Sequence, residues 1–505
     1  MIIRTTFEGQ MGFKTFLFIR FIVISIIVSG CGNRSSGRVD ISEEVSNEQA
    51  NAQPNILWIV ADDLGLDIGC YGENAVSTPN IDLLAYEGMR FDRLYTVAAV
   101  CSVSRSALIT GMYPVSIDSH QHRTRYKDSL PDPVRPITDY FKEAGYFVTN
   151  KGKTDYNFIH SKNDMYDGTD WNQREEGQPF FSQIQISFPH RPFKRDTANP
   201  VNPKEVKVLP YYPDHTIVRQ DWALYLETVQ DVDKQVGEIM KRLDQEGLSG
   251  NIIVFFFGDQ GRPHLRAKQF LYEGGIRTPL IIRWPGRITP GSVNDRLVSN
   301  VDIGPTTMKA ANLKPPNYLH GKDFLSSDSS QRKYVFAMRD RRDETVDRIR
   351  MVRNESYKYI RNFYPDRPYT QFNAYKKHSY PVLTLMKVMY KKGELTPAQA
   401  RFMSKERPFE ELYDLKNDPH ELENLIQSEL HKKEAENLRN VLNVWLRKFD
   451  LGQYPENPEE ILHAQNLMAE IYEKQMKLKG LNPNVTDEEL LKYWKEYLNQ
   501  QKPLY

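Results

Sequence analysis

Two short apolar runs stand out along the chain. Asn55-Ile-Leu-Trp-Ile-Val60 and Asn251-Ile-Ile-Val-Phe-Phe-Phe257 are continuous rather than alternating and rich in β-branched and aromatic residues, which predicts strands covered on both faces. The first ends in Ala61-Asp62-Asp63 and the second in Gly258-Asp259-Gln260. In open α/β sheets ligands sit beyond the carboxyl ends of strands, so the two acidic ends are expected to meet despite their separation in sequence. Between them lie helix-like stretches: Ser77-Thr-Pro-Asn-Ile-Asp-Leu-Leu-Ala-Tyr86, with capping residues before an apolar face, and Asp221 to Leu243. Strand and helix in alternation predict an α/β core. From about Arg332 the texture shifts to short candidate strands, Tyr334 to Met338, Ile349 to Arg353 and Tyr357 to Ile360, and then to long charged helices. The stretch Glu411 to Leu425 predicts a strand, a turn around Asn417-Asp418-Pro419 and a helix.

The beginning of the chain follows other rules. Lys14 and Arg20 precede the apolar run Phe21 to Val28, which Val28-Ser29-Gly30-Cys31 closes. This is the layout of a signal peptide, and its uninterrupted apolar run is shorter than the ~20 residues of a membrane-spanning helix. The ending resembles a bacterial lipobox, so Cys31 is expected to carry lipid and to anchor the protein in the bacterial cell envelope without crossing the membrane. Residues 32–53 are polar and aperiodic, a tether. The expected organisation is therefore a signal over 1–31, a tether over 32–53, a catalytic α/β domain over 54–330 and a smaller α+β domain over 331–505. With Lys and Arg at 67 and Asp and Glu at 66, no global charge steers the chain toward nucleic acid. Anion recognition has to be local. With three cysteines, a lipidated Cys31 and a modified Cys101 leave Cys70 alone, and no disulfide is expected.

The densest chemistry lies in Cys101-Ser-Val-Ser-Arg105-Ser-Ala-Leu-Ile-Thr-Gly111. On a helix, residues four apart share a face, so Cys101 and Arg105 project together near a helix start, where backbone N–H groups favour anions. This segment resembles the signature of the type I, formylglycine-dependent sulfatases. The resemblance spans about Pro54 to Leu425 and includes Thr278-Pro-Leu-Ile-Ile-Arg-Trp-Pro-Gly286 and the Leu412-Tyr-Asp-Leu415 block. It implies an alkaline-phosphatase-like mixed sheet flanked by helices. It also implies that a maturation enzyme oxidises Cys101 to formylglycine, whose hydrate attacks the sulfur of a sulfate ester.

The same resemblance assigns Asp62, Asp63, Asp259 and Gln260, with the modified Cys101, to one Ca²⁺. Oxygen donors of this kind suit Ca²⁺, or less well Mg²⁺, and argue against Zn²⁺. Lys153 in Gly152-Lys-Thr-Asp155, His190 in Phe188-Pro-His190 and Lys268 before Tyr272-Glu-Gly-Gly275 match the family's sulfate-binding positions. Fixed cationic donors answer the charge that grows on sulfate oxygens as the S–O bond breaks.

Three positions depart from the family pattern. Val103 replaces the usual Pro or Ala, Gln260 the usual Asn or His, and Asp155 a second His; Asp155 either orients Lys153 or carries a proton. The stretch Ser119-His-Gln-His-Arg-Thr-Arg-Tyr-Lys127, with His120, His122 and Arg123, reads equally as a solvated basic loop and as a surface for acidic sugars. Arg262 and His264, between the metal ligands and Lys268, are candidates for a substrate subsite. The implied activity is hydrolysis of sulfate esters on an anionic poly- or oligosaccharide, ulvan-like or of the glycosaminoglycan type. A phosphate mono- or diesterase of the same superfamily and a noncatalytic carbohydrate-binding relative are the alternatives.

Overall fold

A computed structural model describes residues 53–501 except 328, 453 and 455, so Cys31, the signal and the tether lie outside the described residues. The two apolar runs form neighbouring strands at the centre of a mixed sheet. Its strands are β1 (Asn55–Ala61), β2 (Met89–Tyr95), β3 (Phe147–Lys151), β4 (Phe180–Ile186), β5 (Ile252–Gly258), β6 (Arg277–Arg283), β7 (Ser292–Asn294) and β8 (Val298–Ser299). They are ordered β3-β4-β1-β5-β6-β2-β7, with β8 also paired to β2. β1 runs parallel to β5, Asn55 opposite Ile252 through Ala61 opposite Gly258, and parallel to β4 on its other side. β3 is parallel to β4, whereas β6 is antiparallel to both its neighbours. Four adjacent strands, β3, β4, β1 and β5, thus point the same way and deliver their carboxyl ends to one edge.

Side-chain alternation sends each central strand into two cores. Ile56, Trp58 and Val60 join Ile253, Phe255 and Phe257 on one face. Leu57 and Ile59 join Val254 and Phe256 on the other, beneath the long helix Thr216–Gln245. On the first face Trp58 is fully buried, meets Phe181 and Phe257 edge-on at 5.0 and 5.7 Å, and donates its indole N–H to Thr307 Oγ1 at 3.1 Å.

The C-terminal strands β9 (Val335–Arg339), β10 (Ile349–Arg353), β11 (Tyr357–Asn362) and β12 (Glu410–Asp414) form an antiparallel sheet ordered β12-β11-β10-β9. Helix Lys432–Phe449 covers one face, packing Leu438, Leu442 and Trp445 on Met338, Val352 and Leu412. The other face, through Val335, Ala337, Met351 and Tyr413, enters the same core as Leu57 and Ile59. The described residues from Gln53 onward accordingly form one compact unit, in which the small sheet shares the main core.

The predicted helix after the Asn417-Asp418-Pro419 turn does not form there. Asp418 Oδ2 accepts the N–H groups of Leu422 and Glu423 at 2.6 and 2.9 Å, and Glu421, at φ 55°, buries its carboxylate on Lys358 at 2.7 Å. These side-chain bonds replace the first helical turn, and the regular α-helix begins only at Lys432. No helix among the described residues is long and apolar enough to cross a membrane.

Replacement of Trp58 by Ala should lower unfolding stability by about 3–5 kcal/mol, read as a shifted urea midpoint at unchanged slope. A midpoint equal to the parent's overturns the packing described.

Candidate active site

The shared edge of β3, β4, β1 and β5 is where the chemistry gathers. Directly after β1, Asp62 and Asp63 are buried, and Asp63 takes a left-handed backbone, φ 68°, a conformation that Asp tolerates better than most residues. This turn lets the Asp63 N–H donate to Asp259 Oδ1 at 3.0 Å, which ties the end of β1 to the end of β5. Helix Cys101–Thr110 starts at the same place and is buried along its length; Gly111, at φ 66°, closes it by donating to Ala107 O. Cys101 Sγ donates to Asp62 Oδ1 at 3.3 Å, and ligand atoms of Asp62, Asp63 and Cys101 lie within 4.8 Å of one another. Gln260 donates its amide N–H to Asp63 Oδ1 and to Cys101 Sγ, the latter at 3.4 Å.

Cations enclose the acids. Arg105, one turn after Cys101, donates Nε–H to Asp259 Oδ2 at 2.8 Å and an Nη1–H to Gln185 Oε1 at 2.5 Å, with Nη2 3.6 Å from Asp62 Oδ1. Lys153 reaches Asp62 Oδ2 at 2.9 Å, and Lys268 reaches Asp63 Oδ2 at 2.5 Å while standing 4.0 Å from Cys101 Sγ. His190 places Nε2 3.8 Å from Asp63 Oδ2. Its Nδ1 lies 2.6 Å from Arg191 O, a pure acceptor, so Nδ1 carries the proton of the neutral ring.

The electrostatics follow from burial and partners. Burial favours the neutral acid at Asp62, but Arg105, Lys153, His190 and Lys268 outweigh it and hold the carboxyl well below its ordinary range. At Asp259 burial and the neighbouring Asp62 prevail, pushing it up to about 8. Burial and Asp62 also push the Cys101 thiol up to about 12, so it stays protonated and is a poor nucleophile as it stands. Lys268, then burial, lower His190.

Three carboxylates and one amide in a buried cluster are a donor set for a hard dication, and one further observation supports the fit. Gln260 Oε1 is buried without a hydrogen-bond partner, and such atoms are rare unless a water or an ion satisfies them. Asp62, Asp63, Asp259 and the Gln260 amide oxygen would hold the ion.

Asp62, Asp63, Cys101, Arg105, Lys153, His190, Asp259, Gln260 and Lys268, all singled out in the sequence, therefore stand together. Asp155 is paired: Arg123 grips it at 3.1 and 2.9 Å, and it lies 3.3 Å from the Lys153 ammonium, so it orients that lysine. His122 is close by, its Nδ1 2.8 Å from the hydroxyl of Ser102. His120 packs on Tyr454, with ring centres 5.3 Å apart, and its Nδ1 lies 3.4 Å from Asp118 Oδ1.

Arg262 and His264 do not join the group. Arg262 pairs with buried Asp67 at 3.0 Å under Trp222, and His264 is wedged against Trp222 and Tyr225 with ring centres 4.2 and 4.8 Å apart. Their loop turns both side chains into the core, away from the cluster. Gln185, which accepts from Arg105, is a further member of the site, marked in the sequence only as a polar residue near the end of an apolar strand. Tyr375, with its ring centre 5.9 Å from that of His190, and Arg342, 5.4 Å from the Tyr375 ring, also border the cluster, and neither carries a local signal in the sequence.

Comparison with known proteins bears on this geometry. Residues 54–313 match the family described as Sulfatase, and residues 261–406 match the C-terminal part of N-sulphoglucosamine sulphohydrolase. The chain is 32% identical over 484 residues to an ulvan-active sulfatase of Formosa agariphila, covering 85% of this chain and 80% of that protein. It is 30% identical over 340 residues to N-acetylgalactosamine-6-sulfatase of Canis lupus familiaris, covering 54% of this chain and 65% of that one. Among solved structures, a protein in complex with its substrate D-glucosamine-2-N,6-O-disulfate superposes with a TM-score of 0.59 at 19% identity, over 79% of this chain and 98% of that one.

Arg105→Met should leave the buried Asp259 and Asp62 without their shared guanidinium and destabilise the fold by about 3–5 kcal/mol. Denaturant unfolding at neutral pH checks this; a loss below about 1 kcal/mol, the scale of an exposed pair, overturns the central place given to Arg105.

Proposed function

The chain belongs to the sulfatase family and is a sulfate ester hydrolase; on that premise we propose that it desulfates an anionic poly- or oligosaccharide through a formylglycine matured from Cys101. The observation that carries the reading is the position of Cys101, at the first turn of a buried helix with Asp62, Gln260 and Lys268 against its sulfur. A thiol pushed up to about 12 is unsuited to attack, whereas a hydrated aldehyde on the same Cβ supplies a hydroxyl. The Ca²⁺ assigned to Asp62, Asp63, Asp259 and Gln260 supplies, when bound, a positive charge that acidifies that hydroxyl.

The remaining work falls to side chains of the chain itself. Lys153, Lys268 and Arg105 place cationic donors around the helix start, where a sulfate's three outer oxygens find partners that need no reorganisation as charge builds. His190 is fixed by its Nδ1–H bond to Arg191 O, which leaves Nε2 free; the ring donates a proton to the departing sugar oxygen only as the imidazolium, protonated at Nε2 as well. Asp155 keeps Lys153 in place.

The saccharide class rests on the relatives named above, one ulvan-active and one acting on N-acetylgalactosamine 6-sulfate by name, and on the basic stretch Ser119 to Lys127. The formylglycine requires a maturation enzyme as partner, which has to accept Val103. The lipobox-like Val28-Ser29-Gly30-Cys31 supports a lipid anchor at Cys31 and a place in the bacterial cell envelope, where large sulfated polysaccharides are met.

Mass spectrometry of the Cys101 peptide from the native host should show the aldehyde in place of the thiol, and Cys101→Ala should cut desulfation of sulfated oligosaccharides by at least about a thousandfold. Unmodified thiol in fully active material, or turnover retained by the variant, overturns the reading. Calcium at a hundredfold excess over its dissociation constant should stabilise the protein by about 2.7 kcal/mol, and chelation should reverse this. A melting curve indifferent to calcium and chelator rules out the cation assignment.

A further inference from the structure

Cationic and hydrogen-bonding groups around Cys101 exceed what a single sulfate engages, and the excess lies on one side. Arg342, from the loop between β9 and β10, is 4% exposed, and its Nε atom has no hydrogen-bond partner. Among the described residues its ion-pair partner is Asp343, the next residue, which takes Nη1. Its guanidinium lies 5.4 Å from the ring centre of Tyr375. Tyr375 in turn faces the reaction centre, 5.9 Å from the His190 ring and 5.5 Å from the Lys268 ammonium, and its hydroxyl is buried without a partner.

On its other flank Arg342 forms a backbone bridge with His122. His122 Nδ1 is held by Ser102, the neighbour of Cys101, and its Nε2 is buried without a hydrogen bond, 4.0 Å from Asp343 Oδ1. Arg123 follows, locked on Asp155, which reaches Lys153. The rim therefore runs without a gap in contact from Lys153 through Asp155, Arg123, His122 and Arg342 to Tyr375 and Lys268. Along it, three buried polar atoms make no hydrogen bond: Arg342 Nε, His122 Nε2 and the Tyr375 hydroxyl. Buried polar groups are almost always satisfied, and none of these three belongs to the metal ligands or to the sulfate clamp. Burial and the like charge of Arg123 also lower the pKa of Arg342.

We propose that Arg342, with Tyr375 and His122, forms a second oxyanion subsite that recognises a further acidic group on the same saccharide, a uronate carboxylate or another sulfate beside the scissile ester. The inference rests on the desulfation of saccharides proposed above and narrows the substrate to a doubly charged one. A planar guanidinium matches either oxyanion through paired N–H donors, which an ammonium cannot copy. Asp343 holds one arm of the fork, and Nε remains for the ligand. Arg342 and Tyr375 come from the C-terminal part of the chain and His122 from the segment after the Cys101 helix, so the subsite joins the two parts beside the scissile ester.

The test uses the full chain with Cys101→Ala, which binds without turnover, and calorimetric titration with three disaccharides: one neutral apart from a single sulfate, one disulfated, and one monosulfated and carrying a uronate. The doubly charged sugars should bind about tenfold to a hundredfold more tightly than the singly charged one. Adding Arg342→Gln should collapse that preference to about twofold or less, with Arg342→Lys and Tyr375→Phe in between. Because the readout is a ratio within one protein, a general loss of fold cannot imitate it. The uronate and disulfate arms identify which oxyanion is read. Equal affinities for all three sugars, binding of none, or a preference that survives Arg342→Gln overturns the subsite. If the matured parent releases no sulfate while the binding preference persists, the hydrolytic reading fails and the subsite stands.

Discussion

Three carboxylates, Asp62, Asp63 and Asp259, are buried side by side, and the rest of the site is arranged around the cost of keeping them there. Two unit charges about 4 Å apart repel by roughly 4 kcal/mol at the dielectric of a protein's outer layers, and more in a dry interior. Each acid is accordingly matched: Asp259 by Arg105, Asp62 by Lys153, Asp63 by Lys268. The balance explains opposite outcomes in one cluster, with Asp62 held well below its ordinary range and Asp259 pushed up to about 8. A dication held among these oxygens would meet the same electrostatic demand from within.

The sheet makes this crowding possible. Parallel strands β3, β4, β1 and β5 end on one edge, so Lys153, His190, the Asp62-Asp63 pair and the Asp259-Gln260 pair arrive together from segments far apart in the chain. Helix Cys101–Thr110 adds Cys101 and the Arg105 guanidinium on a single face. Rigidity comes from the two cores above and below β1 and β5, whose close packing holds the strand ends in register. The antiparallel C-terminal sheet shares one of those cores, which anchors the loops that carry Arg342 and Tyr375 against the catalytic edge.

Several features were legible because their causes are local. Apolar runs of the right length became β1 and β5, and the acids after them met because strands with both faces buried tend to be parallel neighbours. Cys101 and Arg105 share a helix face because helical spacing dictates it. Asp155 shows the limit of this kind of inference: the sequence left it as an orienter of Lys153 or a proton carrier, and only the structure shows Arg123 holding it in two hydrogen bonds beside the Lys153 ammonium. Residues 419–424 show another, since a single carboxylate, Asp418, captures the backbone N–H groups that a helix needs.

The sequence by itself determined the central strands, the acidic strand ends, the catalytic helix and, through its resemblance to the sulfatases, the cations that face them. Each depends on spacing within a few residues or on a motif that travels intact. Only the tertiary structure decided which side chains turn toward the site. It sent Arg262 and His264 into the core, because Asp67 and a cage of aromatic rings offered them better partners than solvent. It brought Arg342 and Tyr375 to the catalytic edge from the far end of the chain, because the small sheet docks on the large one, and contacts across such distances leave no periodic trace in either segment.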